Sequence, residues 1–173
     1  GTGKAGAGEG LGPVRERGGG CGNAEWAGGG GGKGLGGGDL RGEGRVGGGV
    51  GEREPAGGDG KDVVGGGGGK EVMDGGGGDD GLEGGPGDDQ MNGDDGADQM
   101  SGGAGSDVMD GGLGDDELNE SGDVDFDLGD DELVTDDGSG PVTDQISGFE
   151  NADLTGGAGD NSIDASDFSG DVS

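Results

Sequence analysis

Seven carboxylates recur at intervals of nine residues: Asp62, Glu71, Asp80, Asp89, Asp98, Asp107 and Asp116. The chain contains no His. That removes a His-based zinc site and a Ser-His-Asp arrangement, and leaves hard-cation binding as the chemistry open to this column. Glycine-rich turns around each acid expose backbone carbonyls. Carboxylate and carbonyl oxygens together suit calcium, which takes about six to eight of them. If alternate repeats stack, acids 18 residues apart come within roughly one strand spacing of ~4.8 Å and repel one another. A cation between them removes the conflict. The expected bridged pairs are Asp62/Asp80, Glu71/Asp89, Asp80/Asp98, Asp89/Asp107 and Asp98/Asp116, at most five complete sites.

The elements that must position these acids follow from the rest of the repeat. Residues 57–119 divide into seven rows: GGDGKDVVG, GGGGKEVMD, GGGGDDGLE, GGPGDDQMN, GDDGADQMS, GGAGSDVMD and GGLGDDELN. Position 1 is always Gly, position 2 is Gly except at Asp94, and position 4 is always Gly. Glycine at positions 1, 2 and 4 predicts a backbone that takes positive φ and turns tightly. Position 8 is always apolar: Val64, Met73, Leu82, Met91, Met100, Met109 and Leu118. One apolar residue per row cannot bury itself, so the rows must stack, as solenoid repeats do. A short strand over positions 6 to 9 points position 8 inward, since side chains alternate across a strand. Successive rows then form opposite walls. Val64, Leu82, Met100 and Leu118 make one inner ladder, and Met73, Met91 and Met109 the other. That register favours core packing of the methionines over a Met-rich partner surface.

The rows fit G-G-x-G-x-D-x-U-x and resemble the nonapeptide of the repeats-in-toxin (RTX) family, a calcium-binding β-helix repeat. The resemblance covers 57–119 and a further row, GGAGDNSID, at 156–164. It implies an all-β fold, a parallel β-roll with calcium between the turns. It also implies a secreted, extracellular bacterial exoprotein, with calcium ions and a type I secretion machinery as partners. The sequence departs from the pattern at Glu71, Asp94 and Asn161. Glu71 is longer than Asp and is expected to weaken its site.

Composition by itself points elsewhere. Leu, Ile, Val and Phe number 25 of 173 residues, and the net charge is −31. Such a chain falls in the disordered class. A metal that binds only the folded state adds its binding free energy to folding, so the expectation is a chain disordered without calcium and folded with it. Calcium then serves as the staple of a small core. The lone Cys21 forms no intrachain disulfide and reads as an incidental thiol. No run reaches membrane-helix length, and the acidic surface disfavours nucleic acid and membrane insertion. No signal-peptide pattern opens the chain, which starts on Gly and stops in mid-row. It therefore reads as a piece of a longer protein, and a missing leader says little about export.

Residues 1–56 hold seven basic and seven acidic residues, so the whole net charge lies beyond them. They read as a Gly-rich linker, disordered, or as repeat DNA translated out of frame. The glycine run 28–32 lacks periodic apolar residues, Trp26 reads as an exposed linker residue, and the row GGVGEREPA at 48–56 has Arg53 where an acid is expected. After 119 the register is lost. Val124, Phe126 and Leu128 alternate with acids and predict a strand, with others at 133–135 and 142–146 after the turn 136–141. Leu154, Ile163 and Phe168 are expected to continue or cap the inner wall. Residues 120–173 thus read as a degenerate strand cap with one further row.

Three motif resemblances fail on their own terms. Asp123, Asp125 and Asp127 space like an EF-hand start, but Leu128 stands where Gly is required and Val134 where Glu is. Lys4, Lys33 and Lys70 follow glycines without the Ser or Thr of a phosphate loop. No G-x-S-x-G elbow exists. The reading is a calcium-binding module with no catalytic residues and no other cofactor, any enzymatic domain lying elsewhere in a parent protein. Two alternatives are a calcium-stiffened structural or adhesive spacer, and a disordered acidic polyanion that buffers calcium loosely.

Overall fold

Each row has room for one short strand and one glycine turn, and the chain folds that way. A computed structural model describes residues 24–27, 37–41, 44–47, 49–51 and 54–173. Cys21, the glycine run 28–32, Arg53 and the side chain of Trp26 lie outside the described residues. The first strands are β1 (Ala24–Ala27), β2 (Gly37–Arg41), β3 (Gly44–Gly47), β4 (Gly49–Val50), β5 (Ala56–Asp59), β6 (Asp62–Gly65) and β7 (Gly67–Gly68). The central rows form β8 (Val72–Gly77), β9 (Gly81–Pro86), β10 (Gln90–Asp95), β11 (Gln99–Ala104), β12 (Val108–Asp110) and β13 (Glu117–Gly122). The last are β14 (Asp125–Gly129), β15 (Glu132–Asp136), β16 (Val142–Ser147), β17 (Asn151–Gly156), β18 (Ile163–Asp167) and β19 (Asp171–Val172). No helix occurs among the described residues.

Alternate strands go to opposite sheets. One sheet runs β1-β3-β6-β9-β11-β13-β17-β19, the other β18-β14-β15-β16-β12-β10-β8-β5-β2. The repeat strands pair in parallel, each with the strand two rows on, in 18-residue register. This is a parallel β-roll. A two-stranded piece, β4 with β7, lies in the turn region.

Both ladders expected from position 8 are present. Val64, Leu82, Met100 and Leu118 are register partners on one wall, and Met73, Met91 and Met109 on the other. All seven are at most 3 % exposed. The walls run further than the rows do. Val46 precedes Val64 and Ala152 follows Leu118, while Ile146 follows Met109. Strands also occur within 1–56, where β3 stacks on β6 and β2 on β5.

The loss of register after 119 has a definite form. Strands β14 and β15 pair antiparallel, and β15 pairs antiparallel with β16. A hairpin is spliced into one sheet, and β16 then resumes parallel pairing with β12. Phe126 and Leu128 face the core, as the alternation predicted, with Val124 partly buried beside them; Leu133 is buried as well. Leu154 is buried and Phe168 packs against the core, but Ile163 is 46 % exposed. Its strand β18 is the edge strand of its sheet among the described residues.

The glycine columns need one correction. Positions 2 and 4 take positive φ in every row: 101° and 127° in the row at Gly75, 96° and 153° in the row at Gly84. The position-1 glycines do not. They are needed for space, and what they make space for is the acidic column.

Candidate metal centre

The carboxylates form two stacks, one at each edge of the roll. Asp62, Asp80, Asp98 and Asp116 lead into strands of one sheet; Glu71, Asp89 and Asp107 lead into the other. All seven are at most 1 % exposed. Each expected pair is joined, though not carboxylate to carboxylate. The Asp62 N–H donates to Asp80 Oδ1 at 2.7 Å, Glu71 N–H to Asp89 Oδ1 at 2.8 Å, and Asp80 N–H to Asp98 Oδ1 at 2.7 Å. The Asp89 and Asp98 N–H groups donate to Asp107 and Asp116 Oδ1, both at 2.8 Å.

The second oxygen of each acid decides the chemistry. Oδ2 of Asp80, Asp89, Asp98, Asp107 and Asp116 is buried without a hydrogen bond. Leaving a buried acceptor unpaired costs about 1–3 kcal/mol, more when it is charged. Each such oxygen lies beside the position-1 glycine of its own row. A Cβ built on Gly84 would stand 2.6 Å from both Asp89 Oδ2 and the Gly102 carbonyl. On Gly75 it would stand 2.8 Å from Asp80 Oδ2 and 2.9 Å from the Gly93 carbonyl. The same arrangement recurs at Gly93 with Asp98 Oδ2 and the Gly111 carbonyl. Carboxylate oxygen and carbonyl oxygen face the same space, and the carboxylate oxygen has no hydrogen-bond donor.

The rest of the turn is already paired to itself. Position-4 N–H groups donate to position-3 carbonyls two rows on: Gly69 to Pro86 at 2.9 Å, Gly78 to Asp95 at 2.7 Å, Gly87 to Ala104 at 2.7 Å. Asp94, the one non-glycine at position 2, takes φ 70° and accepts from Asn92 Nδ2 at 2.6 Å. Asp is among the residues that tolerate this left-handed conformation. The turn therefore survives its departure from the pattern.

Electrostatics follow from this packing. Burial pushes the carboxyls of Asp80, Asp98 and Asp107 up to about 6, and raises Asp116. The ladder hydrogen bond lowers each, and neighbouring acids raise it again. Desolvation by burial is the largest cause of the rise and neighbouring like charges add to it, while Lys61 opposes it at Asp80.

A calcium ion fits this donor set: hard, acceptor-only, partly anionic and lacking a cation. Among the described residues no three acidic or cysteine side chains converge into a ready-made cage. The donors come instead as one carboxylate per turn plus backbone carbonyls.

Three acids outside the seven join the same system. The Asp107 N–H donates to Asp144 Oδ1 at 2.8 Å, and the Asp116 N–H to Glu150 Oε2 at 3.0 Å. Glu120 occupies a position-1 place, and its Oε1 accepts from Gly102 N at 2.7 Å; burial pushes it up to about 7. The nine-residue count misses all three. One signal was available: Asp144-Gln145-Ile146-Ser147 echoes Asp98-Gln99-Met100-Ser101. In the late row Asn161 replaces the acid. Its Nδ2 donates to Asp123 Oδ1 at 3.0 Å, and Gly159 N–H donates to the same oxygen at 2.8 Å. Asp125 accepts from Ser162 N at 2.7 Å, so these acids bind backbone and amide across a strand pair rather than open an EF-hand loop.

A parallel β-roll whose turns hold buried, half-satisfied carboxylates is a calcium-binding repeat module by architecture. The comparison with known families agrees. Residues 83–118 and 144–167 match the family model for the RTX calcium-binding nonapeptide repeat, in 4 copies. The chain carries repeats of that family, a calcium-binding module and not a catalytic one. The match omits the first rows, although their columns and stacking are continuous with the rest. No curated protein matches the chain.

Proposed function

We propose that residues 57–119 bind calcium through Asp62, Glu71, Asp80, Asp89, Asp98, Asp107 and Asp116, and that this binding drives folding. Residues 120–173 act as the cap. The observation that carries the reading is the buried Oδ2 atoms of Asp80, Asp89, Asp98 and Asp116, each beside a turn carbonyl and without a hydrogen bond. A bound calcium ion supplies the positive charge these oxygens lack. The carboxylates bind, the position-1 glycines leave them room, and the apolar ladders exclude water from below. Because the unfolded chain presents no such turns, binding free energy becomes folding free energy. Extracellular calcium modules work at about 10⁻⁴–10⁻³ M. We infer a secreted module, exported unfolded through a type I machinery at low internal calcium and folded outside.

The test is far-UV circular dichroism of the full chain across a calcium titration, with magnesium as control. A cooperative gain of β signal with calcium alone is expected. A disordered spectrum that stays flat to about 10 mM, beyond the range of extracellular sites, would overturn the reading in favour of a loose acidic polyanion.

A further inference from the structure

The acidic stacks do not stop where the unbroken rows stop at 119. Past the hairpin β14–β15 the chain returns to register at two places. Gln145, Ile146 and Ser147 pair with Val108, Met109 and Asp110, which puts Asp144 where the next acid after Asp107 belongs. Asn151 and Ala152 pair with Glu117 and Leu118, which puts Glu150 next after Asp116. The sequence separations are 37 and 34 instead of 18. The hydrogen-bond pattern is nonetheless that of the ladder, a backbone N–H of one acid to a carboxylate oxygen of the next. Asp144 is 3 % exposed, as ladder members are.

Two buried oxygens point to a ligand at this junction. Asp107 Oδ2 and Asp116 Oδ2 have no hydrogen-bond partner. Beside Gly111, Asp116 Oδ2 faces the carbonyl of Gly148, which takes the role that the Gly102 carbonyl plays for Asp89. The spliced hairpin displaces the sequence, yet residues beyond it rebuild the carbonyl beside Asp116 and the carboxylate acceptor for the Asp107 N–H.

We propose that Asp144 and Glu150 complete two further calcium sites, one with Asp107 and one with Asp116, which staple the segment after the hairpin to the repeat block. This rests on the calcium reading above. The two sites differ in kind. Asp144 is buried and equals its predecessors in length; Glu150 is exposed and one methylene longer, so its site is the weaker. The staples make the C-terminal strands β16 and β17 dependent on calcium, although neither belongs to a nine-residue row of the block.

The test is calcium per chain, measured by elemental analysis after dialysis against buffered calcium. The chains compared are wild type, Asp144→Asn, Glu150→Gln and the exposed control Glu132→Gln. Asn keeps an oxygen for the Asp107 N–H, so the backbone ladder is retained. Each site variant is expected to lose one calcium, and the control none. Each variant judges its own site: an unchanged count overturns the site it was made for. Should Asp144→Asn lose its β spectrum in calcium, Glu150→Gln, altered only at an exposed side chain, decides the proposal. A wild type that binds no calcium overturns the calcium reading itself, whereas a calcium-loaded wild type with unchanged variants overturns only the junction sites.

Discussion

At the scale of the residue, glycine does two different jobs in this repeat. Gly85 and Gly87 are required for φ, whereas Gly84 is required because Asp89 Oδ2 and a carbonyl occupy the place of its Cβ. Gly77 is required for neither: it has no positive φ, and nothing lies within 4 Å of an added Cβ. Gly84→Ala should therefore cost about 1–3 kcal/mol, as overpacking does, and weaken calcium binding. Gly77→Ala should be neutral or stabilise by up to about 1 kcal/mol through the unfolded chain. Denaturant titrations at saturating calcium check both, and equal losses would refute the distinction. The need for glycine at these columns was legible in the sequence; the reason at position 1 was not, because it depends on a carbonyl 18 residues away. The seven acids were legible from their spacing. Asp144 and Glu150 were missed by spacing, which the hairpin breaks, although the echo of 98–101 at 144–147 marks Asp144.

At the scale of the element, each strand of the nine-residue rows contributes one large core side chain, flanked along the wall by its neighbours in the ladder. Met91 lies between Met73 and Met109 in register and is 1 % exposed. Met91→Ala should cost about 2–5 kcal/mol, the range for large-to-small core changes. Val108→Thr on the outer face of the same sheet, where Val108 is 44 % exposed, should stay within about 0.5 kcal/mol. Thermal unfolding in calcium separates them; a mild Met91 effect would mean that the walls are not packed against each other. The inward direction of position 8 was readable because alternation has a period of two. The strand carrying Phe126 and Leu128 was readable for the same reason, and those expected at 133–135 and 142–146 formed as 132–136 and 142–147. Their antiparallel pairing was not, because alternation fixes a face and not a partner. The turn after β15 is closed locally, with Asp136 and Asp137 accepting from Gly138 and Ser139 N–H at 2.7 and 2.8 Å.

At the scale of the whole molecule, a thin core faces a net charge of −31, and the buried acids are the hinge between the two. Calcium is one way to neutralise them; protons are another. The carboxyls of Asp80, Asp98, Asp107 and Asp144 rise from 3.8 to about 6 in the folded roll, chiefly through burial. Between these values the folded chain holds protons that the unfolded chain releases. By linkage, stability then falls as pH rises. Without calcium, the stabilisation from these groups is complete below pH 3.8 and disappears as pH climbs through about 6. The chain in a chelator should therefore gain β signal on acidification from pH 7.5 to 4.5 and lose it on return. In calcium the dependence reverses: protons compete for the same oxygens, so more calcium is needed below pH 6 than above it. Paired circular dichroism titrations in chelator and in calcium test both arms. A chelated chain equally disordered at pH 4.5 and 7.5 would show that charge in the ladder is not what keeps the metal-free chain from folding.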